Sequence, residues 1–279
     1  MFRRPSLRLI TLLAFLCAAA GAGYGCKQSG PVPPTEVPDG MVWIAPNGES
    51  EGFFMDATET TVAEFRAFVE ATNFVTEAEE FGWSGVFNRD SLNWLPVDSA
   101  TWDQPLGPVP GPDSLVQNAA PAAAPANTPV TQVSMRDVQA YLKWAGKELP
   151  TEKEWMHAAS QSGKYGDFPW GTEMVPDGKF PGNWWQGPFP FNDEVLDGFP
   201  GIAPVKSFPP AENGLYDISG NVWEWTASKA PDGTYIIKGG SFLCSTSYCT
   251  GFNLKQRQTT PADSGLNHLG FRGIIRPSK

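Results

Sequence analysis

Two cysteines, in the run Lys238-Gly-Gly-Ser-Phe-Leu-Cys244-Ser-Thr-Ser-Tyr-Cys249, constrain this chain more than any other feature. The remaining cysteines, Cys17 and Cys26, fall in an N-terminal leader, so the folded part commits its paired thiols to one short segment. Fully extended, that segment would hold the two Cα atoms roughly 16 Å apart. A disulfide needs them at about 5.5 Å, and two thiolates sharing one soft metal ion need similar closeness. The helical alternative points the two side chains in diverging directions. Ser245-Thr246-Ser247-Tyr248 is small and polar enough to fold back, so the spacing predicts a turn that brings two sulfurs together. Nearby cysteines in an exported protein are most often a structural disulfide. A loop this small gains little from closure, because the stabilisation grows with loop length. Disulfide, redox pair and metal pair all stay open on spacing alone.

Residues 1–25 have the form of a signal peptide. Phe2 to Arg8 supplies a positive stretch, and Leu9 to Ala20 an apolar stretch too short to span a membrane. Gly23-Tyr24-Gly25-Cys26 resembles a bacterial lipobox, although Leu or a similar residue is usual where Gly23 stands; ordinary cleavage near Ala18-Ala19-Ala20 is the alternative. Residues 26–40 form a polar, Pro-rich tether. The expectation is an exported protein, lipid-anchored through Cys26 to the bacterial cell envelope, periplasmic or surface.

Residues 41–279 are long enough for one large domain. A net charge of −10 and a pI of about 4.7 argue against nucleic acid as a partner. Only 18% of residues are charged, against 29 Gly, 27 Pro and 11 Trp, which favours a loop-rich fold with aromatic plugs over a helical bundle. Capping boxes at Thr61/Glu64 and Thr151/Glu154, and a similar N-terminus at Ser134/Asp137, predict three helices, the second stopping at Gly146. Short strands are predicted at Tyr235–Lys238 and Phe271–Ile275, and a long surface loop over 102–128. Helices early and strands late give α+β.

Two segments are rich in oxygen donors. Asp217-Ile-Ser-Gly220-Asn-Val222-Trp-Glu224 has carboxylates at either end, and Asn183-Trp184 precedes Asp197-Gly-Phe199. Calcium takes about six to eight oxygens from such mixed sources, although ordinary Asx turns use the same residues. With two histidines, His157 and His268, the chain cannot build a three-histidine metal site. No nucleophile elbow, P-loop or dinucleotide fingerprint is present.

In this order the pieces resemble the formylglycine-generating enzyme (sulfatase-modifying factor) family, from about Met41 to Arg276. The resemblance rests on Phe54-Met-Asp-Ala-Thr-Glu-Thr-Thr61, Trp144-Ala-Gly-Lys-Glu-Leu-Pro-Thr-Glu-Lys-Glu-Trp155 and Phe168-Pro-Trp-Gly171. It continues through Asn183-Trp-Trp-Gln-Gly187, Gly214-Leu-Tyr-Asp-Ile-Ser-Gly-Asn-Val-Trp-Glu-Trp-Thr226, Lys238-Gly-Gly-Ser241 and Leu269-Gly-Phe-Arg272. Several of these runs mark the superfamily fold; the cysteine pair marks its catalytic members.

The resemblance implies a compact, loop-rich α+β fold related to C-type lectins. It implies oxidation, by O2 and Cu(I), of the cysteine in a Cys-x-Pro/Ala-x-Arg motif of an unfolded sulfatase to Cα-formylglycine. Cys244 and Cys249 would hold the copper, with Ser241 beside them as a catalytic residue. Trp223, Tyr248, Arg257 and His268 match positions lining the substrate groove or oxygen pocket, His268 standing where some relatives carry Asn. Two structural calcium ions would bind, one at Asn183, Asp197 and the carbonyls of Trp184 and Phe199, the other at Asp217, Glu224 and the carbonyls of Gly220 and Val222. A monomer is expected. Leu142, Leu254 and Gly273 occupy candidate positions for the disulfides of eukaryotic relatives, so those bridges cannot form. The competing expectation is a non-catalytic, lectin-like binding or scaffold lipoprotein with Cys244 and Cys249 locked as a disulfide.

Overall fold

The computed structural model describes residues 34, 36–108, 123–161 and 163–277; the expected signal peptide, Cys26 and most of the expected tether lie outside the described residues. Chain order gives strands β1 (Met41–Ile44) and β2 (Phe53–Asp56), then helices α1 (Val62–Thr72) and α2 (Glu77–Phe81). A hairpin of β3 (Trp83–Asn88) and β4 (Asn93–Asp98) follows, then α3 (Met135–Ala145) and α4 (Glu152–Ala159). The C-terminal part carries β5 (Trp223–Lys229), β6 (Tyr235–Lys238), β7 (Gln258–Thr260), β8 (Leu269–Gly270) and β9 (Ile274–Ile275). The sheets run β1-β2-β9, β3-β4 and β7-β6-β5-β8; only β5 and β8 pair in parallel. This is the loop-rich α+β architecture expected.

Each α-helix opens on a capping box, in which a Thr or Ser side chain accepts from the third helical N–H and an acidic side chain accepts from the cap's own N–H. Gly146 ends α3 in the left-handed conformation, as its sequence position predicts. Helix α2 escaped prediction: its box is Thr76/Glu79, but it is too short to show a periodic apolar face. The strand expected over Phe271–Ile275 is broken. Only Ile274 and Ile275 pair with β2, because Arg272 turns inward and leaves the ladder.

Arg272 is fully buried and joins distant parts of the chain. Its Nε and Nη2 donate to the Glu224 carboxylate at 2.7–2.9 Å, its Nη1 to the carbonyls of Asp56 and Ala57, and its Nη2 to the carbonyl of Tyr216. A buried ion pair needs such complete hydrogen bonding to offset its desolvation. Around this staple, Phe65, Phe68, Tyr141, Trp223, Trp225 and Phe271 form the main core. Phe53, Met55, Trp155, Leu215 and Ile274 form a second. Fully burying side chains of this class stabilises by about 1.5–3 kcal/mol each, so the packing fixes β5 and the loops that follow β6, where the sulfurs lie.

Candidate active site

The cysteine segment folds as the predicted turn. Ser245 makes it: its carbonyl accepts from Cys249 N–H at 3.1 Å, and its Oγ accepts from the N–H groups of Ser247 and Tyr248. The Cα atoms of Cys244 and Cys249 are 4.6 Å apart and the sulfurs are joined as a disulfide. Two glycines permit the close approach. A Cβ on Gly240, where φ is +78°, would come 2.3 Å from the Phe252 nitrogen; one on Gly251 would come 2.4 Å from the Trp223 ring.

The turn forms the floor of a small pocket of about 60 Å3. Trp223 comes from β5, Ser241 and Leu243 from the segment entering the turn, and His268 from the approach to β8. Five of the lining residues went unrecognised in the sequence: Leu243; Phe87 and Trp94 from the hairpin; Phe189; and Gln258 of β7. Gln258 Nε2 lies 3.5 Å from Cys249 Sγ, as an N–H donor to sulfur. The aromatic walls interlock: Trp94 lies 4.5 Å from His268 and 5.4 Å from Phe87, and Phe189 stacks on Tyr248 at 4.6 Å, centroid to centroid. Cys244 is buried, Cys249 half-buried and Tyr248 exposed, so the pocket opens on the Cys249 side.

No side chain on this lining is charged at neutral pH. His268 is buried, its Nδ1 has no hydrogen-bond partner, and desolvation pushes its pKa down to about 3, so it is a neutral imidazole. Ser241 lies beneath the turn, its carbonyl accepting from Cys244 N–H at 2.9 Å and its Oγ from Leu243 N–H. Trp223 is held by its N–H to the His268 carbonyl at 2.8 Å. The structure thus brings Cys244, Cys249, Ser241, Trp223, Tyr248 and His268 together. Arg257 does not join them: its guanidinium pairs with Glu152 at 2.9 Å, off the pocket lining.

The oxygen-rich segments lie elsewhere. Asp197 Oδ2 accepts from Trp184 N–H at 3.2 Å and Gln186 Nε2 at 2.7 Å, and its Oδ1 from Phe199 N–H at 2.9 Å; Gln186 Nε2 also meets the Trp184 carbonyl. Asn183 donates to the Gly201 carbonyl and to Asn221 Oδ1. Burial raises the Asp197 pKa to about 6. In the other segment Asp217 Oδ2 accepts from Lys206 N–H, while its Oδ1 is buried without a partner and burial lifts its pKa to about 6. Glu224 is filled by Arg272 and by Trp155 Nε1 at 2.7 Å. Glu59, also buried, has one unpartnered oxygen, and desolvation followed by repulsion from Asp217 raises its pKa well above the ordinary value. Among the described residues no group of three or more His, Cys, Asp or Glu could hold a metal ion, so amides and carbonyls would have to complete either set.

Comparison with known proteins agrees with this architecture. Residues 36–277 match the sulfatase-modifying factor enzyme 1-like domain. Mouse formylglycine-generating enzyme is 39% identical over 253 residues, covering 80% of this chain and 65% of that protein, just under two thirds of its length. Bovine inactive C-alpha-formylglycine-generating enzyme 2 is 38% identical over 271 residues, 87% of this chain and 85% of that one. Identity therefore does not separate active from inactive relatives. The solved structure of PvdO from Pseudomonas aeruginosa superposes with a TM-score of 0.57 at 19% identity, covering 81% of each chain, a likeness of fold. By its matched residues and these relatives, the chain belongs to the sulfatase-modifying factor enzyme 1-like family, among homologues named for formylglycine generation.

Proposed function

We propose that this protein oxidises the cysteine of a Cys-x-Pro/Ala-x-Arg motif in an unfolded exported sulfatase to Cα-formylglycine, using O2 and Cu(I). The observation that carries this reading is the sulfur pair on the floor of an uncharged, aromatic-walled pocket that opens on the Cys249 side. The donor set fits the metal. Two soft sulfurs converge there with no carboxylate on the lining, which suits Cu(I) and not a hard cation. Once the disulfide is reduced, Cys244 and Cys249 would hold copper, and copper when bound would supply the one-electron chemistry that O2 needs.

The residues present supply the rest. Cys249, on the open side, is the sulfur an incoming substrate thiol meets first. Neutral His268 and the rings of Trp94 and Trp223 leave the reacting carbon few water molecules and no stray charge. Loss of two hydrogens from the substrate's CH2–SH gives a thioaldehyde, and water then replaces sulfur, releasing hydrogen sulfide. O2 accepts those two electrons and two more from a thiol reductant, forming water. The two calcium ions belong to the same proposal. Asn183, Asp197 and the carbonyls of Trp184 and Phe199 fit one site, where polar atoms crowd around a desolvated carboxylate. Asp217, with its orphaned Oδ1, and the carbonyls of Gly220 and Val222 fit the other better than Glu224, whose oxygens Arg272 already occupies. Lipid attachment at Cys26 would hold the enzyme at the envelope where exported sulfatases pass.

Incubating the mature domain with copper, O2, a thiol reductant and a Cys-x-Pro-x-Arg peptide tests the reading. Mass spectrometry should show CH2SH replaced by CHO; an unchanged peptide with copper bound rejects it. A second reading, a lectin-like binding or scaffold module with a permanent Cys244–Cys249 disulfide, draws support from the joined sulfurs. It predicts a domain that resists mild reduction and takes up no copper.

A further inference from the structure

We propose that Arg89 is a positioning residue for the thiol pocket: its guanidinium ties the 188–191 loop to the β3–β4 hairpin, which sets Phe189 as a wall of the pocket and keeps Cys244 shielded. The inference rests on and deepens the function proposed above, and its first measurement reads the wall without turnover.

The 188–191 loop has few donors of its own. Pro188 and Pro190 carry no N–H, and the N–H groups of Phe191 and Asn192 both donate to the Pro188 carbonyl inside the loop's own turn. The Phe191 side chain is 81% exposed and adds no grip. A tie to the hairpin therefore has to run through the loop's carbonyls. Arg89 supplies the donors: its Nε donates to the Pro190 carbonyl at 2.7 Å and its Nη2 to the Phe191 carbonyl at 3.0 Å. A planar fork with fixed N–H directions spans two successive carbonyls, whereas a lysine ammonium is a point charge on a flexible stem.

The hairpin brings the arginine to this place. Its turn is held by Asn88, whose Oδ1 accepts from Ser91 N–H at 2.8 Å. Phe87 and Arg89 are two residues apart and continue one face of β3. Phe87 meets the Phe189 ring at 5.7 Å, and Arg89 meets the carbonyl of the next residue, Pro190. The guanidinium also lies over the Trp185 ring at 5.1 Å. Trp185 in turn packs edge-on against Phe189 at 5.1 Å and donates its N–H to the Cys244 carbonyl at 2.9 Å. On its other side Phe189 stacks on Tyr248, the neighbour of Cys249 in the sulfur turn. One side chain thus governs a ring that touches both ends of the turn. Without the fork the wall keeps its ring contacts but loses two charge-assisted hydrogen bonds, so an open arrangement gains population.

The test uses the full chain, reduced and stripped of metal by a chelator. Iodoacetamide labelling of each sulfur is followed by digestion and mass spectrometry. In the wild type Cys249 should label first and Cys244, which is 1% exposed, slowly. Arg89→Met keeps an apolar stem against Trp185 but removes the fork. Labelling of Cys244 should then quicken at least about tenfold, because hydrogen bonds to a charged group are lost from the closed arrangement, while Cys249 changes little. Arg89→Lys should not restore the wild-type ratio; it carries the comparison should circular dichroism show that Arg89→Met fails to fold. In a Phe189→Ala background Arg89→Met should add nothing, since both act on one wall. An unchanged Cys244 rate overturns the proposal, as does full rescue by lysine or additivity of the two substitutions. Equal quickening of both sulfurs with a lowered melting temperature would mark a merely structural role and overturns it too. Turnover of a Cys-x-Pro-x-Arg peptide is scored separately: Arg89→Met should lower kcat more than it raises KM, and the reverse split counts against the positioning role. A wild type that shields Cys244 through Arg89 yet turns nothing over rejects the oxidase alone. Turnover with a labelling ratio that Arg89→Met leaves untouched rejects the Arg89 tie alone.

Discussion

The thiol pocket and the carboxylate cluster around Arg272 sit at opposite extremes of one fold. The pocket lining carries no charge, opens to solvent on one side and gathers sulfur against aromatic rings. The cluster is fully buried and places Glu59, Asp217 and Glu224 near a single guanidinium, with two carboxylate oxygens left unpartnered. Soft donors lie where solvent reaches one of them, and hard donors lie where they bind the fold together. The separation would let a soft and a hard cation coexist without exchanging places, and it predicts that damage to the pocket spares the stability that the cluster supplies.

The largest effect should come from Arg272→Met. It leaves Glu224 buried without its partner, and breaking such a pair costs about 3–5 kcal/mol, so thermal unfolding should move sharply downward or the domain should fail to fold. A milder shift would mean that the carboxylates there take up protons and need no cation. Cys244→Ser and Cys249→Ser should do the reverse, abolishing formylglycine formation with a stability loss no greater than about 2 kcal/mol, the ceiling for so short a disulfide loop. Paired activity and melting measurements on both variants check this.

Calcium removal should fall between. Chelation should lower the melting temperature and restored calcium should raise it by linkage; a melt that ignores both overturns the calcium assignment. The effect should shrink in Asp197→Asn and Asp217→Asn without loss of copper.

The smallest effect, over the first pH unit below neutrality, comes from titration. His268 titrates near 3 when folded against 6.5 for a free histidine, so between those values the unfolded chain binds more protons. Stability should therefore fall as pH drops below about 6.5, by at most about 1.4 kcal/mol per pH unit from this group. His268→Asn should flatten that part of the profile, as chemical denaturation at several pH values would show.

Much of the fold was legible because its signals are local. The Thr61/Glu64, Ser134/Asp137 and Thr151/Glu154 boxes each mark a helix within four residues, and the small polar run between the cysteines marks its turn. What stayed hidden is what distance in sequence conceals. Trp94 and Phe87 reach the sulfurs only because the hairpin folds across from the other half of the chain, and nothing local to them announces a pocket. Gln258 is one polar residue on a short strand; only the fold places its amide against Cys249. Arg257, grouped with the substrate residues by resemblance, sits just before β7 and pairs with Glu152 at the start of α4, a partner distant in sequence that nothing local to it announces. The unpredicted break at Phe271–Gly273 reflects the demand of a buried ion pair, which no strand propensity encodes.

The central claim is that the sulfur turn is a copper site and not a staple. Its most direct test is copper stoichiometry of the reduced, calcium-loaded domain, measured by competition with a Cu(I) chelator for wild type, Cys244→Ser and Cys249→Ser. The account predicts one tightly held Cu(I) per wild-type chain, none in either variant, and melting curves for all three that stay close together. A wild-type domain that remains copper-free after reduction, and whose oxidised form melts well above both variants, would contradict the account and leave the disulfide-bonded binding module in its place.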